Sequence, residues 1–121
     1  MPTPNPKVGE IWYVNFDPQV GTEQGGRRPA LIVSVDRFNS MGHQLRVVVP
    51  ITSKVRGFGH HIAIRPPEGG LVQSSVAMCE QVKSQNLGRF DNRLGEVSSE
   101  TLEKVQETIG LILDRRSRRR T

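Results

Sequence analysis

The stretch LRVVVPITS, residues 45–53, predicts a buried strand. Most of its side chains are β-branched, which favours strands, and the short apolar run fits burial on both faces of a sheet or inside a small barrel. PALIVSVD (29–36) has the same character. GEIWYVNFD (9–17) follows the two-residue period of a strand instead, which places Trp12 and Ile11 on opposite sides. We therefore expect three strands in the first half of the chain.

Shorter strands are predicted in the second half. They are HHIAIRP (60–66), SVAMCEQVKS (75–84) and a weaker GRFDNRLGEV (88–97), separated by the turn clusters PPEGG (66–70) and SQN (84–86). We find no internal repeat. A series of short strands of this kind favours an antiparallel sheet or barrel.

The last element is predicted to be an amphipathic helix. Ser98 and Ser99 can cap its start, and Glu100 lies in its first turn. Gly110 costs about 1 kcal/mol relative to alanine, so the helix must gain stability by packing on the strands. Its apolar stripe consists of Leu102, Val105, Ile109, Ile112 and Leu113. The whole pattern predicts a small antiparallel sheet or partial barrel with a covering helix.

Chain length and charge predict one folded domain with two extensions. The 121 residues fit a single domain, which we place at 9–114 after a flexible, proline-containing segment at 1–8. Five of the 17 basic residues lie in 115–121, and the other 12 balance the 12 acidic residues. Because like charges repel, this arginine tail is expected to be disordered.

Composition also bears on the compartment. The chain lacks any run near the roughly 20 apolar residues of a membrane helix, and its start, MPTPNPK, lacks the apolar segment of an export signal. The single cysteine, Cys79, cannot form an internal disulfide. These features predict a cytoplasmic protein with no membrane partner.

The loop GTEQGGRRP (21–29) is unusual for a turn between two strands. Arg28 precedes Pro29, whose ring holds the preceding residue extended, so Arg28 is directed at the start of a strand. Gly25 and Gly26 would let a phosphate or a base approach the backbone amides. The loop therefore resembles a cradle for an anion.

The alternative for this loop is an ordinary solvated turn. In that case its arginines would pair with nearby carboxylates, from Glu23 or Asp17. The two interpretations of the loop stay open. Residues 1–65 hold eight basic and four acidic groups and residues 66–114 hold four basic and eight acidic groups, so the N-terminal half is the candidate anion-binding half.

A second candidate is PITSK (50–54), where a strand ends in hydroxyl groups followed by cations. Thr52 would have a fixed backbone, with Lys54 and Arg56 just beyond it. A hydroxyl group and cations at a strand end can bind a phosphoryl oxygen and stabilise charge that develops in a transition state. The alternative is that Thr52 reflects β propensity alone.

These pieces carry a family resemblance. GEIWYVNFDP (9–18), GTEQGGRRPALIVS (21–34) and VVVPITSK (47–54) resemble the MazF/PemK family of bacterial toxins, sequence-selective endoribonucleases of toxin–antitoxin pairs. The likeness extends through EQVKS (80–84) to the terminal helix, and the pattern G-[ST]-E-Q-x-G-x-R-P is matched at every fixed position. It implies a mainly β fold, an SH3-like antiparallel barrel with a C-terminal helix. It also implies a homodimer that binds single-stranded RNA near its interface, and an antitoxin whose acidic tail blocks the groove.

The resemblance also implies catalytic roles for Arg28, Thr52 and Glu23. The implied reaction needs no metal or cofactor: the ribose 2′-OH attacks the adjacent phosphorus and leaves a 2′,3′-cyclic phosphate and a 5′-OH. Because a guanidinium stays protonated at neutral pH, Arg28 is a poor base, better suited to clamp the phosphate and to stabilise or protonate the leaving oxygen. Thr52 would bind phosphoryl oxygens or steer the 2′-OH. Glu23 would accept a proton, orient Arg28 or read a base edge.

RNA contacts beyond the reacting phosphate are expected from loop residues that bind phosphates, stack on unpaired bases or read base edges. The candidates are Gln24, Arg27, Lys54, Arg56, Phe58 and Gln81. Trp12 offers a stacking surface, but the alternation of its strand favours core packing. The arginine tail could add salt-dependent RNA affinity or be an inert end.

Histidine and metal chemistry are not favoured by the sequence. His60 and His61 are expected to be surface or edge-strand residues, and adjacent residues of a strand point to opposite faces. His43 and Cys79 do not complete a recognised ligand spacing with them, so no metal site is predicted. Cys79 is expected to be a small core residue.

Two other functions compete with the nuclease. One is a CcdB-like toxin that poisons DNA gyrase, whose gyrase contacts surround a tryptophan at the end of the helix, whereas the one tryptophan here is Trp12. The other is a non-catalytic RNA-binding barrel that uses the same basic loops. Contact with DNA is expected only indirectly, through an antitoxin complex.

Overall fold

The computed structural model describes residues 3–114, which form one antiparallel sheet and two α-helices. The strands are β1 (Glu10–Asn15), β2 (Arg27–Ile32), β3 (Leu45–Thr52), β4 (His61–Ile64), β5 (Ser75–Met78), β6 (Lys83–Asn86) and β7 (Phe90–Glu96). The helices are α1 (Asp36–Asn39) and α2 (Ser99–Ile112), and short 3-10 turns lie at Glu68–Gly70, Cys79–Gln81 and Leu87–Arg89. The prediction of a mainly β chain that ends in a helix is confirmed.

The strands follow the order β4-β5-β3-β2-β1-β7, and β6 pairs with β3 outside this path. β3 is the long strand that organises the sheet. Its C-terminal half pairs with β2 and β5, while its N-terminal half pairs with β6. Over residues 3–114 the two end strands, β4 and β7, do not pair with each other. The predicted barrel is therefore an open sheet rather than a closed one.

Two apolar clusters stabilise the sheet, one on each face. Leu31 and Val49 belong to one cluster, and their neighbours Ile32 and Val48 belong to the other. All four side chains are fully buried, because successive residues of a strand point to opposite faces. The prediction that the β-branched runs are buried on both faces is confirmed.

Trp12 is partly buried against the core, as its strand pattern favours. It packs on the cluster that contains Val14, and its ring meets Phe90 edge-on with centroids 6.3 Å apart. The indole Nε1–H donates to Glu10 Oε1 at 2.9 Å. Both the ring and its polar group are thus engaged within the fold, which leaves little of Trp12 for stacking on a base.

Helix α2 begins at the predicted cap. The Ser98 hydroxyl oxygen accepts the backbone N–H of Thr101 at 3.1 Å, and Val105 is fully buried against the sheet. Leu102 and Ile109 pack on the same cluster, whereas Ile112 and Leu113, which the predicted stripe included, are exposed. Within residues 3–114, no helix has the length and apolar character to cross a membrane.

The predicted strand at 75–84 is wrong as a single element. The chain forms β5, turns through the 3-10 segment Cys79–Gln81 and continues as β6. Because β5 and β6 pair with opposite halves of β3, the chain must bend between them. The predicted turn at 84–86 therefore lies inside β6, where Gln85 is buried.

The N-terminal segment 1–8 was expected to be flexible, yet part of it packs on the domain. Pro6 is fully buried, and the buried Arg46 donates from Nε to the Pro6 carbonyl at 2.8 Å and from Nη2 to Asn5 Oδ1 at 3.0 Å. Arg46 thus holds residues 5 and 6 against the domain. The predicted arginine tail at 115–121 lies outside the described residues.

Candidate functional site

A cavity of about 470 Å³ opens where the loop before β2 meets the end of β3 and the start of β4. Its lining combines hydroxyl groups, cations, aromatic rings and one carboxylate. The lining residues are Thr22, Gln24, Arg28, Thr52, Lys54, Arg56, Phe58, His61, Met78 and Glu80. Six of the residues singled out in the sequence are among them: Gln24, Arg28, Thr52, Lys54, Arg56 and Phe58.

Arg28 and Thr52 reach the cavity from neighbouring strands. Ala30 pairs with Pro50 in the antiparallel register of β2 and β3, and by strand alternation Arg28 points to the same side as Ala30 and Thr52 to the same side as Pro50. Residues at opposite positions of an antiparallel pair project on the same face. The sheet itself therefore brings the guanidinium and the hydroxyl group to one side.

The Arg28 guanidinium and the Thr52 hydroxyl group each make few hydrogen bonds within the protein. Arg28 donates one hydrogen bond, from Nε to the Gly25 carbonyl at 3.1 Å, and no carboxylate in residues 3–114 pairs with it. Thr52 Oγ1 accepts the Lys54 N–H at 3.1 Å, so its own proton can still be donated. Together the two side chains can offer several donors to one anion.

Gly25 and Gly26 allow a backbone conformation and a close approach that other residues would not permit in this loop. Gly26 has a φ of 74°, in the left-handed region that favours glycine, and a Cβ on Gly25 would lie 2.6 Å from the Gln19 side chain. The Gly26 N–H donates to Asp17 Oδ1 at 2.7 Å. Because the Gly26 N–H already donates to Asp17, it is not available to an anion. The predicted anion site therefore depends on side chains.

Arg27 lies outside the cavity. It donates two hydrogen bonds to Asp91, at 2.8 and 2.9 Å, and its guanidinium lies 3.9 Å from the centroid of the Tyr13 ring. These hydrogen bonds hold the pKa of Asp91 below its usual value and raise the pKa of Arg27. The alternation of β2 separates Arg27 from Arg28, and neither arginine pairs with Glu23 or Asp17 as the ordinary-turn alternative would require.

Glu23 and Gln81 also lie outside the cavity lining. The Glu23 carboxylate is 3.9 Å from Lys83 Nζ, and Gln81 Nε2 donates to the Thr22 carbonyl at 3.4 Å. Both contacts link the loop before β2 to the segment that follows β5. They position the loop whose next residues line the cavity.

Three lining residues were missed: Thr22, Met78 and Glu80. Glu80 stands just after a buried strand, in the same position relative to β5 as the polar residues that follow β3. This position, just after a predicted buried strand, could have identified Glu80 as a candidate site residue from the sequence. Its neighbour Cys79 is buried as predicted, and burial raises the pKa of the thiol to about 11, with the charge of Glu80 adding to the effect.

The expectation that His60 and His61 point to opposite faces is wrong. His60 lies in the turn before β4, so strand alternation does not separate the two rings. His60 Nε2 is 3.4 Å from Glu80 Oε1, and His61 Nε2 is 3.0 Å from Glu80 Oε2. The two imidazoles thus meet one carboxylate at the edge of the cavity.

Aromatic groups extend this edge outwards. Phe58, which is 49% exposed, stacks on His60 with centroids 5.4 Å apart and an interplanar angle of 17°. Phe58 also meets His61 edge-on. A half-exposed ring beside several cations can stack on an unpaired base while the cations bind its backbone.

Comparison with known proteins gives the same family as the sequence motifs. Residues 7–113 match the family model described as PemK-like, MazF-like toxin of type II toxin–antitoxin systems. Endoribonuclease MazF9 of Mycobacterium tuberculosis is 34% identical over 111 residues, which cover 88% of this chain and 94% of that protein.

Solved structures agree with the sequence relatives. The crystal structure of MazF from Deinococcus radiodurans superposes with a TM-score of 0.79 at 31% identity, covering 89% of this chain and 96% of that one. MazF in a MazE–MazF complex from the same organism has a TM-score of 0.71 at 27% identity, covering 90% and 95%. The fold and the sequence lead to one conclusion: the chain belongs to the family of PemK-like, MazF-like toxins of type II toxin–antitoxin systems.

Proposed function

We propose that this protein is the toxin of a type II toxin–antitoxin pair, an endoribonuclease that cuts single-stranded RNA at a short sequence motif without a metal ion and so inhibits translation. The observation that carries the proposal is that Arg28 and Thr52 line one cavity. The similar proteins MazF9, EndoA and PemK are named endoribonucleases, which supports the activity. We assign it to the domain at 9–114.

The proposed reaction uses the RNA's own nucleophile. The 2′-OH oxygen attacks the adjacent phosphorus, the bond from phosphorus to the 5′ oxygen breaks, and a 2′,3′-cyclic phosphate and a 5′-OH remain. The attacking hydroxyl loses a proton and the leaving oxygen gains one. Charge grows on the non-bridging oxygens in between, and fixed donors that favour this charge accelerate the step.

Arg28 and Thr52 are suited to stabilise that charge. The guanidinium offers several N–H donors in a planar fork, and the threonine hydroxyl retains a proton to donate. Arg28 would also stabilise or protonate the leaving oxygen, since its guanidinium stays protonated at neutral pH. A rigid position on two paired strands holds both groups in the required geometry before the substrate arrives.

The proton acceptor for the 2′-OH is better sought at Glu80 than at Glu23. Glu80 is the one carboxylate in the cavity lining, whereas Glu23 is directed to Lys83. Glu23 would then act on catalysis indirectly, by holding the loop that carries Arg28. Gln24, Lys54, Arg56 and Phe58 would bind the nucleotides on either side of the cut. We assign Arg27 and Gln81 to supporting the loop.

The protein is further proposed to act as a homodimer in the cytoplasm and to be neutralised by a cognate antitoxin. MazE–MazF complexes of Deinococcus radiodurans support the antitoxin partner. An acidic antitoxin segment would find Arg28, Lys54 and Arg56 in the same cavity that RNA uses. Contact with DNA would then occur only through the antitoxin complex.

The test is to incubate the purified protein with RNA of mixed sequence in excess chelator and to map the ends of the fragments. Fragments with 5′-OH ends at a recurring motif are expected. RNA that is bound but intact would indicate a non-catalytic RNA-binding module, and RNA that is neither bound nor cut would favour a gyrase poison. Either of these two results would overturn the proposed activity.

A further inference from the structure

His60, His61 and Glu80 form a second chemical group at the edge of the cavity, separate from the Arg28–Thr52 pair. One ligating atom from each residue, an imidazole nitrogen from each histidine and one carboxylate oxygen from Glu80, lies within 4.8 Å of the other two. We propose that these three residues bind one divalent transition-metal ion, with Zn²⁺ as the probe. The inference does not rest on the proposed nuclease, whose chemistry uses no metal; an ion bound to Glu80 would occupy the carboxylate proposed there as the proton acceptor.

The spacing of the three groups fits a single small ion. Two ligands of a tetrahedral zinc ion lie about 3.4 Å apart, since each is about 2.1 Å from the metal. Here His60 Nε2 lies 3.4 Å from Glu80 Oε1, and His61 Nε2 lies 3.0 Å from Glu80 Oε2. The Nε2 atoms of both rings are therefore already at ligand spacing from one carboxylate.

The surroundings allow the ligands to complete this geometry. The His61 side chain is only 4% exposed and is held in place, whereas His60 and Glu80 are 41% and 36% exposed and can turn towards it. Phe58 stacks on the His60 ring and limits the directions it can take. The buried His61 would provide a fixed ligand, and the more exposed His60 and Glu80 could move to complete the coordination of an ion.

The donor set selects the class of metal. Imidazole nitrogen favours Zn²⁺, Cu²⁺, Fe²⁺ and Ni²⁺, whereas Mg²⁺ and Ca²⁺ require oxygen ligands. Arg28, Lys54 and Arg56 line the same cavity as His61 and Glu80 and repel cations, so an ion held by weak oxygen contacts alone would not remain there. Two nitrogen bonds and one carboxylate supply the additional stabilisation, and three protein ligands leave the fourth position for water.

The competing explanation is that Glu80 simply pairs with the two histidines. Metal binding distinguishes the two cases, and the chain offers a matched control. The chain has three histidines, and His43 is the one outside the proposed site. It packs against Phe38 with ring centroids 4.4 Å apart and does not line the cavity. His43→Ala removes an imidazole without touching the proposed ligands.

The experiment is calorimetric titration of the full chain, free of any histidine tag, with Zn²⁺ and separately with Mg²⁺. One Zn²⁺ per chain and no Mg²⁺ binding are expected. His60→Gln and Glu80→Gln should each weaken Zn²⁺ binding on the order of 100-fold, and His43→Ala should leave it unchanged. Circular dichroism melting of each variant checks that the fold is retained.

A second readout reports the ligands directly. Co²⁺ in place of Zn²⁺ should give the visible absorption of a tetrahedral ion, and His60→Gln should abolish it. Absence of saturable Zn²⁺ binding would overturn the proposal. So would an equal loss of affinity in His43→Ala and His60→Gln, because the site would then lie elsewhere. These outcomes do not depend on whether the protein cuts RNA.

Discussion

Arg28, in β2, and Thr52, at the end of β3, line the same cavity. The two strands pair with each other from Ala30 and Pro50 onwards, so the backbones of both residues belong to one sheet. Within residues 3–114, the Arg28 side chain donates to the Gly25 carbonyl alone, and Thr52 Oγ1 accepts the Lys54 N–H. Most of the hydrogen-bonding capacity of the two side chains is left for a ligand, and the ligand that we propose is a phosphodiester.

Arg28→Ala is expected to lower the single-turnover rate of RNA cleavage on the order of 100-fold or more, because it removes donors to the charge that develops on the phosphate. Arg28→Lys should recover only part of this loss, since an ammonium lacks the planar fork. The melting temperature should change little, because within residues 3–114 the Arg28 side chain makes one hydrogen bond, and the substitution leaves the backbone pairing of β2 in place.

The neighbouring arginine provides the control. Arg27→Ala removes the same type of side chain from the opposite face of β2, where it pairs with Asp91. Its cleavage rate should stay within a few-fold of the parent rate. Equal losses for Arg27→Ala and Arg28→Ala would show that general positive charge, rather than a specific contact in the cavity, supports the reaction.

Glu80→Gln is expected to slow cleavage more than Glu23→Gln, because Glu80 lines the cavity and Glu23 does not. Both substitutions keep the size of the side chain and remove its charge, so the comparison isolates the carboxylate. Rates should be measured in chelator to exclude metal effects. The opposite ranking would return the proton-accepting role to Glu23.

The 2′-OH at the cut position is expected to be essential. Once the cut is mapped, an RNA with a single deoxyribose on the 5′ side of that bond should bind as well as the parent RNA but resist cleavage. Binding is measured by fluorescence anisotropy, and cleavage by gel electrophoresis. Continued cutting of the deoxy substrate at the same bond would mean that water, rather than the ribose, is the nucleophile.

The Arg27–Asp91 pair should contribute to acid sensitivity. Hydrogen bonds from Arg27 lower the folded-state pKa of Asp91 below the unfolded value of about 3.9, so the folded state binds fewer protons. This stabilisation is present at neutral pH and is lost as the pH falls through the acidic range. Asp91→Asn should therefore flatten the fall in unfolding free energy between about pH 5 and pH 2.

Urea unfolding at a series of pH values measures this slope, and Arg27→Ala should flatten the same window because it breaks the same pair. The pair is solvent-exposed, so high salt should reduce the difference between parent and variants. A slope that Asp91→Asn leaves unchanged would contradict the assignment.

Much of the fold could be predicted from local patterns. The apolar runs of β1, β2 and β3, the cap at Ser98 and the buried stripe around Val105 each reflect preferences of neighbouring residues. The break between β5 and β6 could not be predicted in this way. The break depends on the length of β3, because β5 and β6 pair with different parts of that strand. The residues within 75–84 carry no information about the length of β3.

In the candidate site, too, some residues could be predicted from local sequence motifs, whereas contacts between distant parts of the chain could not. Arg28 and Thr52 stand in recognisable motifs, and a shared register brings them together. The partner of Arg27 is 64 residues away in the chain, so sequence could not show that this arginine is engaged. The meeting of His60 with Glu80 depends on β4 starting at His61, and a shift of one residue in a strand boundary reverses the expected direction of a side chain.

We propose that Arg28 and Thr52 act on one phosphodiester, and a double-mutant cycle measures whether the two side chains act together. Single-turnover cleavage rates of one mapped RNA would be compared for the parent, Arg28→Ala, Thr52→Ala and the double variant. Because two groups on one phosphate act as a unit, the double variant should lose far less than the product of the two single losses. Losses that multiply would contradict the account, because the two side chains would then act at separate places.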